Sequence, residues 1–154
     1  TDFAIASDGA KFSISEVNWG ILPGALVAKV VSDSILYRHA LYHACLGETF
    51  DAQEALRIGL VNSVIPQDGL EAAVKELAGK LMAKSPSVLR ATKQAMRQVR
   101  TMDYMQAHDY LMEKNTAIRV NDPEKSYETG LHEFLDAKSY KPAHEPFPLA
   151  TKTT

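Results

Sequence analysis

Cysteine is nearly missing from this chain: its 154 residues hold one, Cys45. A single thiol excludes an intrachain disulfide framework and fits a reducing compartment, read here as the cytoplasm. An excess of charge is missing too. The 17 basic and 19 acidic residues leave a net charge of -2, which gives nucleic acid no electrostatic footing as a partner. No apolar run approaches the roughly 20 residues that span a bilayer, so no membrane partner is expected. There is no Gly-x-Gly-x-x-Gly, no phosphate loop and no cysteine pair, which leaves nucleotide and zinc chemistry without a motif. What is present is ordinary for a globular domain: 45% apolar and 23% charged residues.

Apolar Phe3, Ala4, Ile5 and Ala6 read as a buried strand already in progress at the first residues. Domains rarely begin inside a core strand, so an upstream part of the protein is expected to be missing. Asp8-Gly9 punctuates a turn before a second short strand over Lys11 to Ile14. The loop through Trp19 and Gly24 follows, in which Gly20 and Gly24 allow positive φ or close backbone approach and Pro23 stiffens the turn between them. A short apolar helix spans Ala25 to Val31. Asp33 or Ser34 then caps a helix running to about Leu46, with Ile35, Leu36, Leu41 and Cys45 facing inward. Asp51 and Glu54 form a capping-box-like pair for a helix that stops at Gly59, and residues 60 to 65 make the last strand.

Beyond Pro66 the pattern is helical. One helix covers Leu70 to Ala83, and Ser85-Pro86 caps a second that runs to about Val99. Asp103 starts a third, and Asn121-Asp122-Pro123 separates it from a last one, Glu124 to about Ala137, with Tyr127, Leu131, Phe134 and Leu135 on its apolar face. Prolines at 142, 146 and 148 mark an extended tail. The resulting division is 1–66, 67–142 and 143–154. The helical part carries more apolar faces than one small sheet covers, which points to packing on another subunit or on the missing part.

The chemistry centres on Glu16, a lone acid where an otherwise apolar strand meets its loop. One reading is structural: the carboxylate pairs with Lys11 or caps a backbone amide. The other is a general acid/base whose pKa an apolar pocket raises. Trp19 is likewise either a core anchor or the wall of an aromatic pocket. His39 and His43 stand four apart, a metal-ligand spacing, but no third ligand is evident and no metal is expected.

These residues also carry a resemblance. Asp2-Phe3-Ala4-Ile5-Ala6, Phe12-x-x-Ser15-Glu16 and Gly20-Ile21-Leu22-Pro23-Gly24 resemble the crotonase (enoyl-CoA hydratase/isomerase) family. So do Leu46-Gly47-Glu48-Thr49-Phe50-Asp51-Ala52 and Ala55-x-x-x-Gly59-Leu60-Val61-Asn62. Within it, Ser15 through Gly24 and Phe134 through Pro142 are similar to the hydroxycinnamoyl-CoA hydratase-lyase branch. Ordinary hydratases usually have proline where this chain has Ser15, and a glycine-rich stretch where it has Gly24-Ala25-Leu26-Val27.

The resemblance implies an α/β fold: the C-terminal part of a crotonase-type spiral ββα core, followed by a helical trimerisation region. It implies a homotrimer or dimer of trimers, a coenzyme A thioester as substrate, and no permanently bound cofactor. The implied reaction is hydration of a 4-hydroxycinnamoyl-CoA of the feruloyl type, then retro-aldol cleavage to a vanillin-type aldehyde and acetyl-CoA. Glu16 matches the catalytic glutamate. Burial beside Trp19 would keep its proton available near neutral pH. Ser15, Trp19 and Gly24 are the implied substrate-binding residues. The branch also supplies a tyrosine from a neighbouring subunit to meet the substrate phenol. That position is Met112 here; Tyr110 is close by, on another side of the helix, with plain packing as its alternative role. Lys138 and Lys141 are candidates for the CoA phosphates, or else solvent-exposed lysines. The family's oxyanion hole comes from its N-terminal half, so this chain alone is expected not to turn over. A plain enoyl-CoA hydratase or isomerase, and a non-catalytic oligomerisation piece, stand as alternatives.

Overall fold

The computed structural model of the chain describes residues 2–142 and 145–148. Two compact units emerge, Thr1–Glu76 and Leu77–Thr154, so the division falls ten residues beyond the one read at Pro66. No helix among the described residues is long and apolar enough to cross a membrane.

In the first unit, strand β1 (Ile5–Ser7) pairs in parallel with β4 (Ser63–Ile65), Ala6 opposite Val64. Parallel neighbours need a long crossover, and the helices between them supply it. β1 begins two residues later than the apolar run, and Phe3 is half exposed. The Asn62 side chain takes over at that end: the Ala4 amide donates to Asn62 Oδ1 at 2.8 Å, and the Asn62 amide to the Ala4 carbonyl at 2.7 Å. β2 (Lys11–Phe12) pairs antiparallel with β3 (Phe50–Asp51), stacking Phe12 on Phe50 with ring centroids 5.8 Å apart. It stops short of Ile14 because its partner ends at Asp51, which turns away to cap a helix.

That helix is α3 (Ala52–Arg57), where Asp51 Oδ1 accepts from the Glu54 amide at 2.8 Å. The reciprocal half of the capping box is not made. The Glu54 carboxylate instead takes two bonds from Arg57, each 2.6 Å, and faces His43 Nε2 at 3.3 Å. Ala52 and Ala55 are completely buried and, with Ala6 and Val61, form one small core; Ile35, Ala40 and Ile58 form another, and Phe50 and Leu60 pack on both.

Helix α1 spans Val27–Ser34, two residues later than expected at its start. The left-handed residues before it are Ala25 (φ 46°) and Leu26 (φ 73°), not Gly24. Neither Asp33 nor Ser34 caps the next helix: Asp33 pairs with Lys29 at 2.7 Å, and Ser34 Oγ donates to the Val30 carbonyl. Helix α2 (Tyr37–Leu46) buries Ala40 and His43, which lie three apart on one face. Ile35 is buried as expected, whereas Leu36, Leu41 and Cys45 are exposed. The small side of α2 packs against Ile58 and Phe50, which leaves its larger apolar side chains to line a groove.

Helix α4 (Leu70–Met82) leads into the second unit. There α5 (Pro86–Gln98) has Ser85 as N-cap and proline at its first position, and α6 (Tyr104–Asn121) opens on a complete capping box between Asp103 and Gln106. The last helix is shorter than its apolar pattern: α7 covers Ser126–Leu131 and continues as a π-helical turn, His132–Asp136. It starts late because Asp122 holds the entry. Asp122 Oδ2 accepts from the Ser126 amide at 2.9 Å, while Lys125 turns through φ 47°. The Asp122 carboxylate also accepts from Ser87 Oγ at 2.7 Å, and Ser85 Oγ, which donates to Glu124, meets Ser126 Oγ at 2.7 Å.

Of the tail expected over 143–154, residues 143, 144 and 149–154 lie outside the described residues. The described part does not run free: the Phe147 amide donates to the Ala83 carbonyl at 2.8 Å, and its ring lies against Gly130 and Tyr140. Tyr127, Leu131, Phe134 and Leu135 remain well exposed, as do Tyr104, Met105 and Val120 on α6.

Candidate active site

Ser15, Glu16, Trp19 and Gly24 lie on one loop of the first unit. Glu16–Trp19 form a single 3-10 turn, with the Asn18 amide bonded to the Ser15 carbonyl (3.0 Å) and the Gly20 amide to that of Val17 (3.1 Å). Gly20 ends the turn at φ 70°, where a side chain would be strained. Ser15 stands at the N-cap without a side-chain cap bond, and Glu16 opens the turn, the end that favours negative charge. The Glu16 side chain is half-buried and makes no hydrogen bond or ion pair among the described residues. Neither structural partner weighed for it, Lys11 or a backbone amide, engages it.

Trp19 does not bury Glu16 within this chain: the indole is 75% exposed. Residues three apart eclipse in a 3-10 turn, so Glu16 and Trp19 share one edge of the loop, Glu16 half-buried and the indole in the open. Gly24 needs no left-handed backbone, and a Cβ there would meet only the Leu22 carbonyl, at 3.7 Å. Ala25 and Leu26 carry the strain instead; left-handed backbone costs about 1–2 kcal/mol at a residue with a side chain. Alongside runs an apolar groove of about 410 Å³, lined by Val17, Ile21 and Pro23 of the loop, Val31 of α1, and Tyr37 and Leu41 of α2.

Two further contacts escaped the sequence reading. The Asn18 side chain reaches 29 residues along the chain to donate to the Gly47 carbonyl at 2.8 Å. His43 is not turned toward His39 as a ligand pair. It is buried on the Phe50 ring, with centroids 4.1 Å apart, and faces Glu54. The Arg57 guanidinium holds the Glu54 carboxyl down at about 2, against opposition from burial and with help from His43. The one advance signal was local: an acid at 54 followed three residues later by an arginine, with a histidine inside the preceding helix.

The remaining candidates belong to the second unit. Tyr110 is half-buried on α6, while Met112 is exposed. Lys138 and Lys141 are both exposed; Lys138 sits at φ 52°, and the Lys141 amide donates to Glu145.

The glutamate-bearing turn thus stands beside an apolar groove that Glu16 itself does not line, on a βα framework continued by helices. The chain belongs to the enoyl-CoA hydratase/isomerase family, which matches residues 1–142, and has the crotonase fold. Among its relatives is the hydroxycinnamoyl-CoA hydratase-lyase of Pseudomonas fluorescens, 43% identical over 141 residues, covering 92% of this chain and 51% of that protein. The 2,3-dehydroadipyl-CoA hydratase of Escherichia coli is 36% identical over 97 residues, covering 63% of this chain and 38% of that one. A crystal structure of an enoyl-CoA hydratase from Bacillus anthracis superposes with a TM-score of 0.79 at 26% identity, over 86% of this chain and 50% of that one. The chain thus spans about half the length, or less, of these relatives.

Proposed function

We propose that the protein carrying this chain hydrates a 4-hydroxycinnamoyl-CoA thioester and cleaves the product to an aromatic aldehyde and acetyl-CoA. The observation that carries the reading is the 43% identity to a hydroxycinnamoyl-CoA hydratase-lyase across 92% of the chain. The Glu16 carboxylate, with no partner of its own among the described residues, supports it by being free for proton transfer.

The chemistry asks little of the side chains and much of their placement. In hydration the water oxygen bonds to the β-carbon, one water proton passes to Glu16, and a proton returns to the α-carbon. In cleavage a base removes the β-hydroxyl proton, the α–β carbon bond breaks toward the thioester, and the resulting enolate takes a proton to become acetyl-CoA. One water is consumed and no redox partner is needed. Glu16 serves both steps. Trp19 and Gly24 are assigned to the aryl end, Ser15 and Tyr110 to further substrate contacts, and Lys138 and Lys141 to the CoA phosphates. A homotrimer or dimer of trimers would cover the apolar side chains that α6 leaves exposed.

A second reading, general enoyl-CoA hydration, is favoured by one residue: Met112 stands where the lyase branch has its phenol-binding tyrosine. Incubation with feruloyl-CoA separates the two. Release of aldehyde and acetyl-CoA is expected, and hydration of crotonyl-CoA without any aldehyde from feruloyl-CoA would reject the lyase reading. Glu16→Gln is expected to lower kcat by at least about 100-fold, the scale of a lost general acid/base.

A further inference from the structure

Glu16 holds its place without a single bond to its own carboxylate among the described residues, so its aim depends on the backbone of the turn that carries it. That turn is four residues long, Glu16–Trp19. A 3-10 turn this short has poor hydrogen-bond geometry and little stability by itself. Something outside it must hold it still, and Asn18 is placed to do so. Asn18 lies two residues after Glu16 in the same turn, and its Nδ2 donates to the Gly47 carbonyl at 2.8 Å. Gly47 is the left-handed C-cap of α2, at φ 62°, with its amide bonded to the His43 carbonyl. The last carbonyls of a helix have no partner within it, so the Asn18 amide meets a group that needs a donor.

The fit at this point is close. A Cβ on Gly47 would stand 2.6 Å from Asn18 Oδ1 and 2.8 Å from its Cγ and Nδ2, so a side chain there would push the asparagine amide aside as well as strain the backbone. Two stretches far apart in sequence, Ser15–Gly20 and Leu46–Asp51, therefore meet through one side-chain amide. We infer that Asn18 is a positioning residue for Glu16: its bond to Gly47 latches the 3-10 turn to the end of α2 and sets where the carboxylate can reach. This rests on Glu16 as the proton-transfer group of the proposed function.

The test uses the protein carrying this chain, with kcat and KM measured separately and amide hydrogen exchange followed at residues 18, 20 and 21. Asn18→Ala and the milder Asn18→Ser are expected to lower kcat ten-fold or more and to leave KM within two-fold. Exchange at those three amides rises while that of α5 is unchanged. Gly47→Ala, which leaves Asn18 in the chain but displaces its amide, is expected to do the same. Once Asn18 is alanine, adding Gly47→Ala should cost less than a further two-fold in kcat. A fall in kcat matched by a rise in KM, or by faster exchange throughout the first unit, would make the bond merely structural and overturn the proposal. So would a kcat within two-fold of the parent in Asn18→Ala while Glu16→Gln is inactive. Full turnover in Glu16→Gln would instead overturn the assigned function, and the positioning role with it.

Discussion

Replacing Asp122 by asparagine tests whether the entry to α7 is held as described. Asp122 is 8% exposed, and its carboxylate accepts from the Ser126 amide, the Glu124 amide and Ser87 Oγ. Burial pushes the carboxyl up, and the hydrogen bonds from Ser126, Ser87 and the two amides more than offset it, leaving it at about 2 against an ordinary 3.8. The folded-state value is the lower one, so the stabilisation is fully present above the unfolded value and is lost as pH falls through the folded value. At 1.36 kcal/mol per unit, the depression amounts to about 2 kcal/mol. An asparagine in its place would keep the shape but aim an N–H at donors that need an acceptor. Urea unfolding followed by far-UV circular dichroism should therefore show Asp122→Asn about 2 kcal/mol less stable at pH 7. The gap should hold down to about pH 4 and shrink steadily toward pH 2. A gap of the same size at pH 7 and pH 2, or none at either, would refute the assignment of the charge to this site.

Four further outcomes are expected. Glu54→Gln should destabilise the first unit at neutral pH by about 1–2 kcal/mol, a figure discounted because Arg57 is well exposed and its charge is screened. That loss should fade as pH drops from 4.5 toward 2, where the wild-type carboxylate takes up its proton. Gly59→Ala should cost only about 1 kcal/mol in the same unfolding assay, because φ is 79° but no atom beyond its own chain neighbours lies within 4 Å of the new methyl. Gly47→Ala, which adds a collision to a similar angle, should cost clearly more. Ala25→Val should destabilise by more than about 1 kcal/mol, since a β-branched residue tolerates φ 46° worse than alanine does; unchanged stability would mean the strain is absent.

What could be read from the chain alone was what acts over four residues or fewer. Asp51, Ser85 with Pro86, and Asp103 declared themselves as caps because each side chain bonds an amide two or three positions on. The glutamate loop was legible for a different reason: its run of residue types is specific enough to resemble one family. The inward face of α2 was not, because hydrophobic pattern favours Leu36, Leu41 and Cys45 while the packing partners, Phe50 and Ile58, accept only the small Ala40 and the flat ring of His43. Positive φ at Ala25 and Leu26 had no local signal at all, since neither residue type prefers it. The bonds from Asn18 to Gly47 and from Ser126 to Ser85 join residues 29 and 41 apart, and nothing in either neighbourhood names the other.

The exposed indole three positions after Glu16 is the one tryptophan of the chain. Within this chain its fluorescence is therefore a signal from a single place, the loop. In water it should emit at long wavelength, and an acyl group or protein surface that covers it should shift the emission to the blue. The second unit contributes no tryptophan, so melting of its helices is silent in this channel. The loop thus carries its own label, and under the proposed function a thioester titrated against that emission is expected to shift it without any turnover.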